Sequence, residues 1–297
     1  MRNYLVILIA LTLGLNSCEL SDSEEDPGDV KKDSVGTDIL LSIGNNITFD
    51  YSDIESYDSS AHILYFRYNH PEFDKLRQSS FVFYADGDSV YKGQLWPGYL
   101  SSFPSGPYIP SVPLNYQNYA LGIEYFKNDQ PDLRNDPRII QNLKKRDLLH
   151  SGLSVALNPP EISGPLCRLS FTVTNMDKSV LLILDPDKMG HRLFHYFTNG
   201  LYLLNLANNT VINSVLESQT PVPWNGWSMD WLTQLNPGET KNYTVSYSFD
   251  TIIGTGDYLA FLEYPGLSYQ VSSFDLFQAK GRIWLGNITA TRNISVN

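Results

Sequence analysis

The sequence predicts a mostly β protein in two folded domains, a β-rich domain with one helix over residues 36–160 and an antiparallel β-sandwich over residues 161–297. Three observations predict it. From Ile39 onward the chain breaks into short runs rich in β-branched and aromatic residues, separated by turn residues. One segment only, beginning at Asp136, carries a helix start signal followed by helical periodicity. The stretch Asn158-Pro159-Pro160-Glu161-Ile162-Ser163-Gly164-Pro165 breaks helix and strand alike and divides the two halves. With 42% hydrophobic residues in 297, there is enough apolar side chain for a packed core.

Taken in order, residues 1–17 read as a signal peptide. Met1 and Arg2 supply the positive end, and Leu5 to Leu15 form an apolar run. Eleven residues at ~1.5 Å each fall short of a bilayer core ~30 Å thick, so the run is too short to span. The ending Leu15-Asn16-Ser17-Cys18 resembles a bacterial lipobox. That resemblance implies cleavage before Cys18, a diacylglyceryl group on its thiol and further acylation by chains such as palmitate. Several acyl chains, at ~0.8 kcal/mol per buried methylene, anchor a protein stably where one chain is marginal. The alternative is a secreted protein in which Cys18 is incidental. Residues 18–35 read as a lipidated acidic tether: seven acids and two lysines between 19 and 35 leave a net charge of −5 with little apolar surface to bury. The run Ser21-Asp22-Ser23-Glu24-Glu25-Asp26 resembles the surface-export signal of Bacteroidota-type lipoproteins, which implies an outer-membrane, cell-surface location; a plain spacer is the alternative.

In the first folded domain, Ala61 to Tyr68, Phe81 to Tyr84, Ser89 to Lys92 and Tyr119 to Phe126 read as strands. Asp86-Gly87 between the second and third marks a tight hairpin. Residues 96–113 hold five prolines and read as a loop. At the helix, Asp136 is the cap, Pro137 suits the first helical position, and Lys144, Lys145 and Arg146 complement the dipole at the far end. We read it as packed on a sheet rather than as a basic patch for a partner.

The second domain alternates apolar and polar residues along Leu169 to Asn175, then continues through Val180 to Leu184, Tyr243 to Phe249 and Gly256 to Leu262. Such alternation with Pro-Gly turns describes two antiparallel sheets, each with one face inward. The sequence of Phe171-Thr172-Val173-Thr174-Asn175, Leu235-Asn236-Pro237-Gly238-Glu239-Thr240 and Gly254-Thr255-Gly256-Asp257-Tyr258-Leu259-Ala260-Phe261-Leu262 resembles immunoglobulin-like bacterial domains of the kind also seen in proteinase-inhibitor modules. The likeness spans about 100 residues and rests on turn chemistry, so it implies fold rather than activity.

No catalytic motif stands out, and a non-enzyme without a cofactor is expected. Gly266-Leu267-Ser268-Tyr269-Gln270 lacks the second glycine of a nucleophile elbow, and no phosphate loop or paired-histidine zinc motif occurs. His191 and His195 are four apart, but Pro186 and Gly190 suggest strand-like flanks, so we read them as surface or packing residues rather than metal ligands. Asp185-Pro186-Asp187 and Asp86-Gly87-Asp88 read as turns rather than calcium loops. Cys167 reads as a small buried hydrophobe. An excess of 32 carboxylates over 21 lysines and arginines argues against nucleic acid as a partner. The function expected is a surface lipoprotein with a binding or assembly role.

One cluster offers ligand chemistry. Trp224, Trp227 and Trp231 are three of five tryptophans in the chain, and Asn225 and Asp230 lie among them. Exposed indoles stack on sugar rings while the polar residues bond hydroxyls, which would make a glycan-binding accessory protein. The favoured alternative has Trp224 and Trp231 plugging the end of the sandwich, with Trp227 at the loop tip between Gly226 and Ser228.

Overall fold

The computed structural model describes residues 38–44, 47–69, 79–96, 104, 106–110, 119–126, 131–224, 226–267, 271–278 and 280–297. The expected signal peptide, Cys18, the tether and Asn225 lie outside the described residues. The chain is mostly β, and the strands among the described residues form five sheets. The first has six strands in the order β2 (Ile47–Asp50), β1 (Ile39–Ile43), β5 (Ser80–Ala85), β6 (Asp88–Trp96), β7 (Gly106–Pro110) and β9 (Glu124–Phe126). The second runs β10 (Leu149–His150), β3 (Ile54–Asp58), β4 (Ile63–Phe66) and β8 (Ala120–Gly122). One core draws Phe81, Phe83 and Tyr91 from the first sheet and Tyr57, Leu64 and Phe66 from the second.

Local chemistry accounts for the hairpin and the helix of this half. Asp86 and Gly87 have φ of 49° and 84°, the pair of positive values that a two-residue turn between twisted strands needs. Helix α1 spans Pro137–Lys145, with Pro137 in its first turn and the Asp136 carboxylate accepting from the Arg138 N–H at 2.9 Å. Its Ile139 and Leu143, four apart and on one face, enter the core. It stops at Lys145, because Asp147 turns left-handed and Leu149 has already joined β10.

Beyond residue 152 there are three sheets where sequence alternation predicts two. They are β11 (Leu153–Leu157) and β12 (Glu161–Ser163) beside β13 (Leu166–Asn175) and β18 (Thr240–Ser248); β17 (Leu232–Leu235), β14 (Leu181–Leu184), β21 (Gly281–Ile283) and β20 (Phe277–Gln278); and β16 (Val211–Asn213), β15 (Leu201–Asn205), β19 (Gly256–Pro265) and β22 (Asn287–Val296). The reason lies in β14. All four of its side chains are buried, Leu181 and Ile183 in one core and Leu182 and Leu184 in another, so it needs cover on both faces. Strand β4 is buried on both faces in the same way, with Leu64 and Phe66 turned to the N-terminal core and Ile63 and Tyr65 turned to Leu182, Leu184 and Leu232. A shared core therefore joins the two halves.

Three further features depart from the sequence expectation. The C-terminal sheets are not purely antiparallel, since β14 pairs with β21 in parallel. The proline-rich stretch read as a loop holds β7, in which Pro107 and Pro110 flank Tyr108 and Ile109 and leave their N–H groups for the ladder. The stretch read as breaking helix and strand alike holds β12, which folds back on β13 through Gly164-Pro165, and β11 on its N-terminal side pairs with β13 along its whole length. The described residues also contain α2 (Pro186–Met189), α3 (His191–Thr198) and α4 (Ser273–Leu276) beside the one helix expected.

Candidate binding loop

The tryptophan-bearing segment leaves β16 and returns at β17, and backbone hydrogen bonds pin it along the way. Val215 N–H donates to Ser248 at 2.7 Å and Gln219 N–H to Arg192 of α3 at 2.9 Å. Gly226 N–H donates to Pro223 at 2.9 Å, closing a tight turn in which a β-carbon at 226 would meet Pro223 Cγ at 2.7 Å. Ser228 then caps a single 3-10 turn, Met229–Trp231, by accepting from the Asp230 N–H at 3.2 Å. The Trp231 carbonyl accepts from the Asp185 N–H at 2.9 Å, which seats the loop on α2.

The base of the loop is electrostatically closed. The Asp185 carboxylate is fully buried, caps α2 by accepting from the Asp187 N–H at 3.0 Å, and pairs with Lys241. Lys241 lies 5.0 Å from the centre of the Tyr243 ring, and Lys188 donates to the Leu232 carbonyl at 2.5 Å. Asp185-Pro186-Asp187 thus opens a helix and neutralises a lysine. Burial, with Tyr264, Asp185 and Asp187 adding to it, pushes the Tyr243 hydroxyl far above its ordinary range, so this phenol stays protonated.

The three tryptophans divide. Trp231 meets the edge of Phe197 from α3 at 6.0 Å and packs, half-buried, against the core shared by the two halves. Trp227 packs there too. Trp224 is 73% exposed, in company with Val222 and Met229. The plug is therefore Trp227 with Trp231, and the outward ring is Trp224: relative to the expectation, Trp224 and Trp227 have exchanged places. Flanking Gly226 and Ser228 do not set burial; the shared core, assembled from strands over 160 residues apart, does. Asp230 is exposed, and its carboxylate makes no hydrogen bond or ion pair with the described residues. Phe197 and Lys241, which pack or pair at the base of the loop, carried no ligand-like signal in sequence, and Asp185, weighed there as a calcium ligand, is instead a helix cap paired with Lys241.

His191 and His195 lie on α3 rather than on strands. Pro186 starts α2 and Gly190 joins the two helices, so neither residue breaks a helix here. His195 is buried and stacks on Tyr247 with ring centres 4.6 Å apart. Burial, and next the charge of His191, push its pKa below the ordinary value, with Glu217 and the Ser246 backbone opposing. Among the described residues, no group of three or more His, Cys, Asp or Glu is placed to hold a metal ion. Cys167 is buried opposite Tyr247, and desolvation pushes its thiol up to about 12. No described helix is long and apolar enough to cross a membrane.

A second cluster of charge sits where the halves meet. Arg282 Nη2 lies 3.1 Å from Asp58 and 3.4 Å from Asp177, and Asp177 accepts from His150 Nδ1 at 2.8 Å and from the Ser179 N–H at 2.9 Å. The guanidinium stands 4.7 Å from the centre of the Tyr65 ring. Asp58 is further held by Ser60, whose hydroxyl donates at 2.6 Å and also accepts from the Leu153 N–H at 3.1 Å. The Arg282–Asp58 and His150–Asp177 contacts join chain segments of the two halves, and Arg282, Asp58 and Asp177 are buried. We assign it to holding the architecture. No family model matches this chain, no curated protein is similar to it, and no solved structure matches it.

Proposed function

We propose that this chain is a lipid-anchored protein of the outer-membrane surface with a non-enzymatic binding role. Its N-terminal half is a β-rich unit with one principal helix, its C-terminal half an immunoglobulin-like unit, and it offers the loop around Trp224 to a ligand. The observation that carries the binding role is the 73% exposed indole of Trp224 on a loop fixed by backbone hydrogen bonds and by two half-buried tryptophans. A large rigid amphipathic side chain at the surface offers contact area at low entropic cost, and a pre-fixed loop loses little entropy on binding. The lipobox-like Leu15-Asn16-Ser17-Cys18 and the acidic run after it support the anchor and the surface address.

Photo-cross-linking on intact cells tests the role. Benzoylphenylalanine in place of Trp224 should give a discrete adduct that is missing when the same group replaces Ile252, an equally exposed residue at 75%. Adducts of the same kind from both positions, or from neither, refute the assignment. Cys18→Ala should release the protein from membranes; membrane retention of that variant refutes the anchor.

A further inference from the structure

We infer that the ligand of this loop is a neutral sugar, with Trp224 stacking on the apolar face of a pyranose ring and Asp230 accepting hydrogen bonds from its hydroxyls; the inference rests on the binding role proposed above. An indole presents a flat apolar face of the right size for the C–H face of a pyranose. Sugar hydroxyls are donors as well as acceptors, and a carboxylate is the strongest acceptor a side chain offers. Asp230 is exposed and has no partner among the described residues, whereas the other acid of the segment, Glu217, lies 3.4 Å from the Ser248 hydroxyl.

Charge selects among ligands. Residues 216–231 hold Glu217 and Asp230 and no lysine or arginine, and the two lysines at the loop base are turned to Asp185 and to the Leu232 carbonyl. The segment's own charges disfavour a phosphate, a sulfate or an acidic sugar and are indifferent to an uncharged polyol, while the nearby cations Arg192 and Lys188 lie on the neighbouring helices. Ser218, Gln219 and Thr220 are exposed on the same segment and add neutral hydrogen-bonding groups. The Gln219 hydrogen bond before Trp224, and the Gly226–Pro223 bond and the half-buried Trp227 and Trp231 after it, hold the loop, so stacking requires little loop ordering.

The test is a glycan array of neutral and acidic oligosaccharides, probed with the detergent-purified full chain. Affinity electrophoresis through gels containing galactomannan, β-glucan or hyaluronan follows. Binding to neutral glycans is expected, with roughly tenfold or greater loss in Trp224→Ala, as for an aromatic hot spot. A smaller loss is expected in Asp230→Asn and none in Ile252→Ala. The melting temperature of Trp224→Ala should match the wild type, which separates lost recognition from lost fold. No neutral glycan bound, binding to acidic glycans alone, or binding unchanged in Trp224→Ala overturns the inference. If the array is blank while benzoylphenylalanine at 224 captures a protein, the sugar falls and the binding role stands; if both are blank, both fall.

Discussion

Replacing Asp177 by asparagine tests the charge cluster between the halves, and the structure sets the size and the pH range of the effect. Burial alone raises the pKa of this carboxyl, but the His150 hydrogen bond and charge, the Ser179 N–H and Arg282 together outweigh it and hold the group at about 2. From the ordinary 3.8 down to about 2, at ~1.36 kcal/mol per tenfold change in proton affinity, the stabilisation is roughly 2 kcal/mol. The folded state binds this proton more weakly than the unfolded one, so the stabilisation is fully present above pH ~4 and is lost as pH falls through about 2. Asp177→Asn lacks it at every pH and leaves His150 and Arg282 facing an amide, so its cost near neutrality is about 3–5 kcal/mol. Urea unfolding of both proteins between pH 7 and pH 2 measures the gap. It should be widest above pH ~4 and narrow by roughly 2 kcal/mol toward pH 2. A gap that stays constant across that range refutes the reasoning, whatever its size at pH 7.

Three more outcomes are expected. Thermal unfolding should place Trp224→Ala within ~0.5 kcal/mol of wild type, while Trp227→Ala and Trp231→Ala, half-buried on the shared core, lose about 1–3 kcal/mol. Gly152→Ala should destabilise more than Gly164→Ala although φ is +63° and +60°: a β-carbon at 152 would meet Ser60 Oγ at 2.0 Å and Asp58 Oδ1 at 2.3 Å, whereas 164 opens on empty space and costs only ~1–2 kcal/mol for its left-handed backbone. Cys167 should resist a thiol reagent at pH 8 in the folded protein and react fully in denaturant, since burial holds its thiol at about 12; rapid labelling of the folded chain would contradict its burial.

What could be read from sequence was local. Asp86-Gly87 and Asp136-Pro137 act through their own backbone geometry, and the hairpin and helix form where the residues place them. Alternation along Leu169 to Asn175 matches the inward face of β13. What was missed depends on distant partners. Leu181 to Leu184 has no alternation because two cores claim it, and a short apolar run does not announce how many sheets will cover it. Pro186 and Gly190 looked like breakers because their roles, at the start of α2 and the joint with α3, depend on Asp185 capping and on Phe194 reaching the core. The tryptophans could be found but not ranked, for the same reason: the partial burial of Trp227 is decided by a core cluster whose members, Ile63 and Leu182 among them, are distant in the chain.

The pairing of Arg282 with Asp58 bears on the order in which the chain can fold. The two residues are 224 positions apart. A chain that emerges N-terminus first presents Asp58 and the apolar side of β4 long before Arg282, Ile283 and Leu285 arrive to cover them. The first half therefore waits, with a carboxylate and the side chains of Ile63 and Tyr65 still in water, until residues 282–285 have been delivered. Removing β21 would strip the N-terminal half of part of its cover, and a carrier that keeps the chain unfolded until β21 has been made would suit this topology better than one that lets it fold from its first strand.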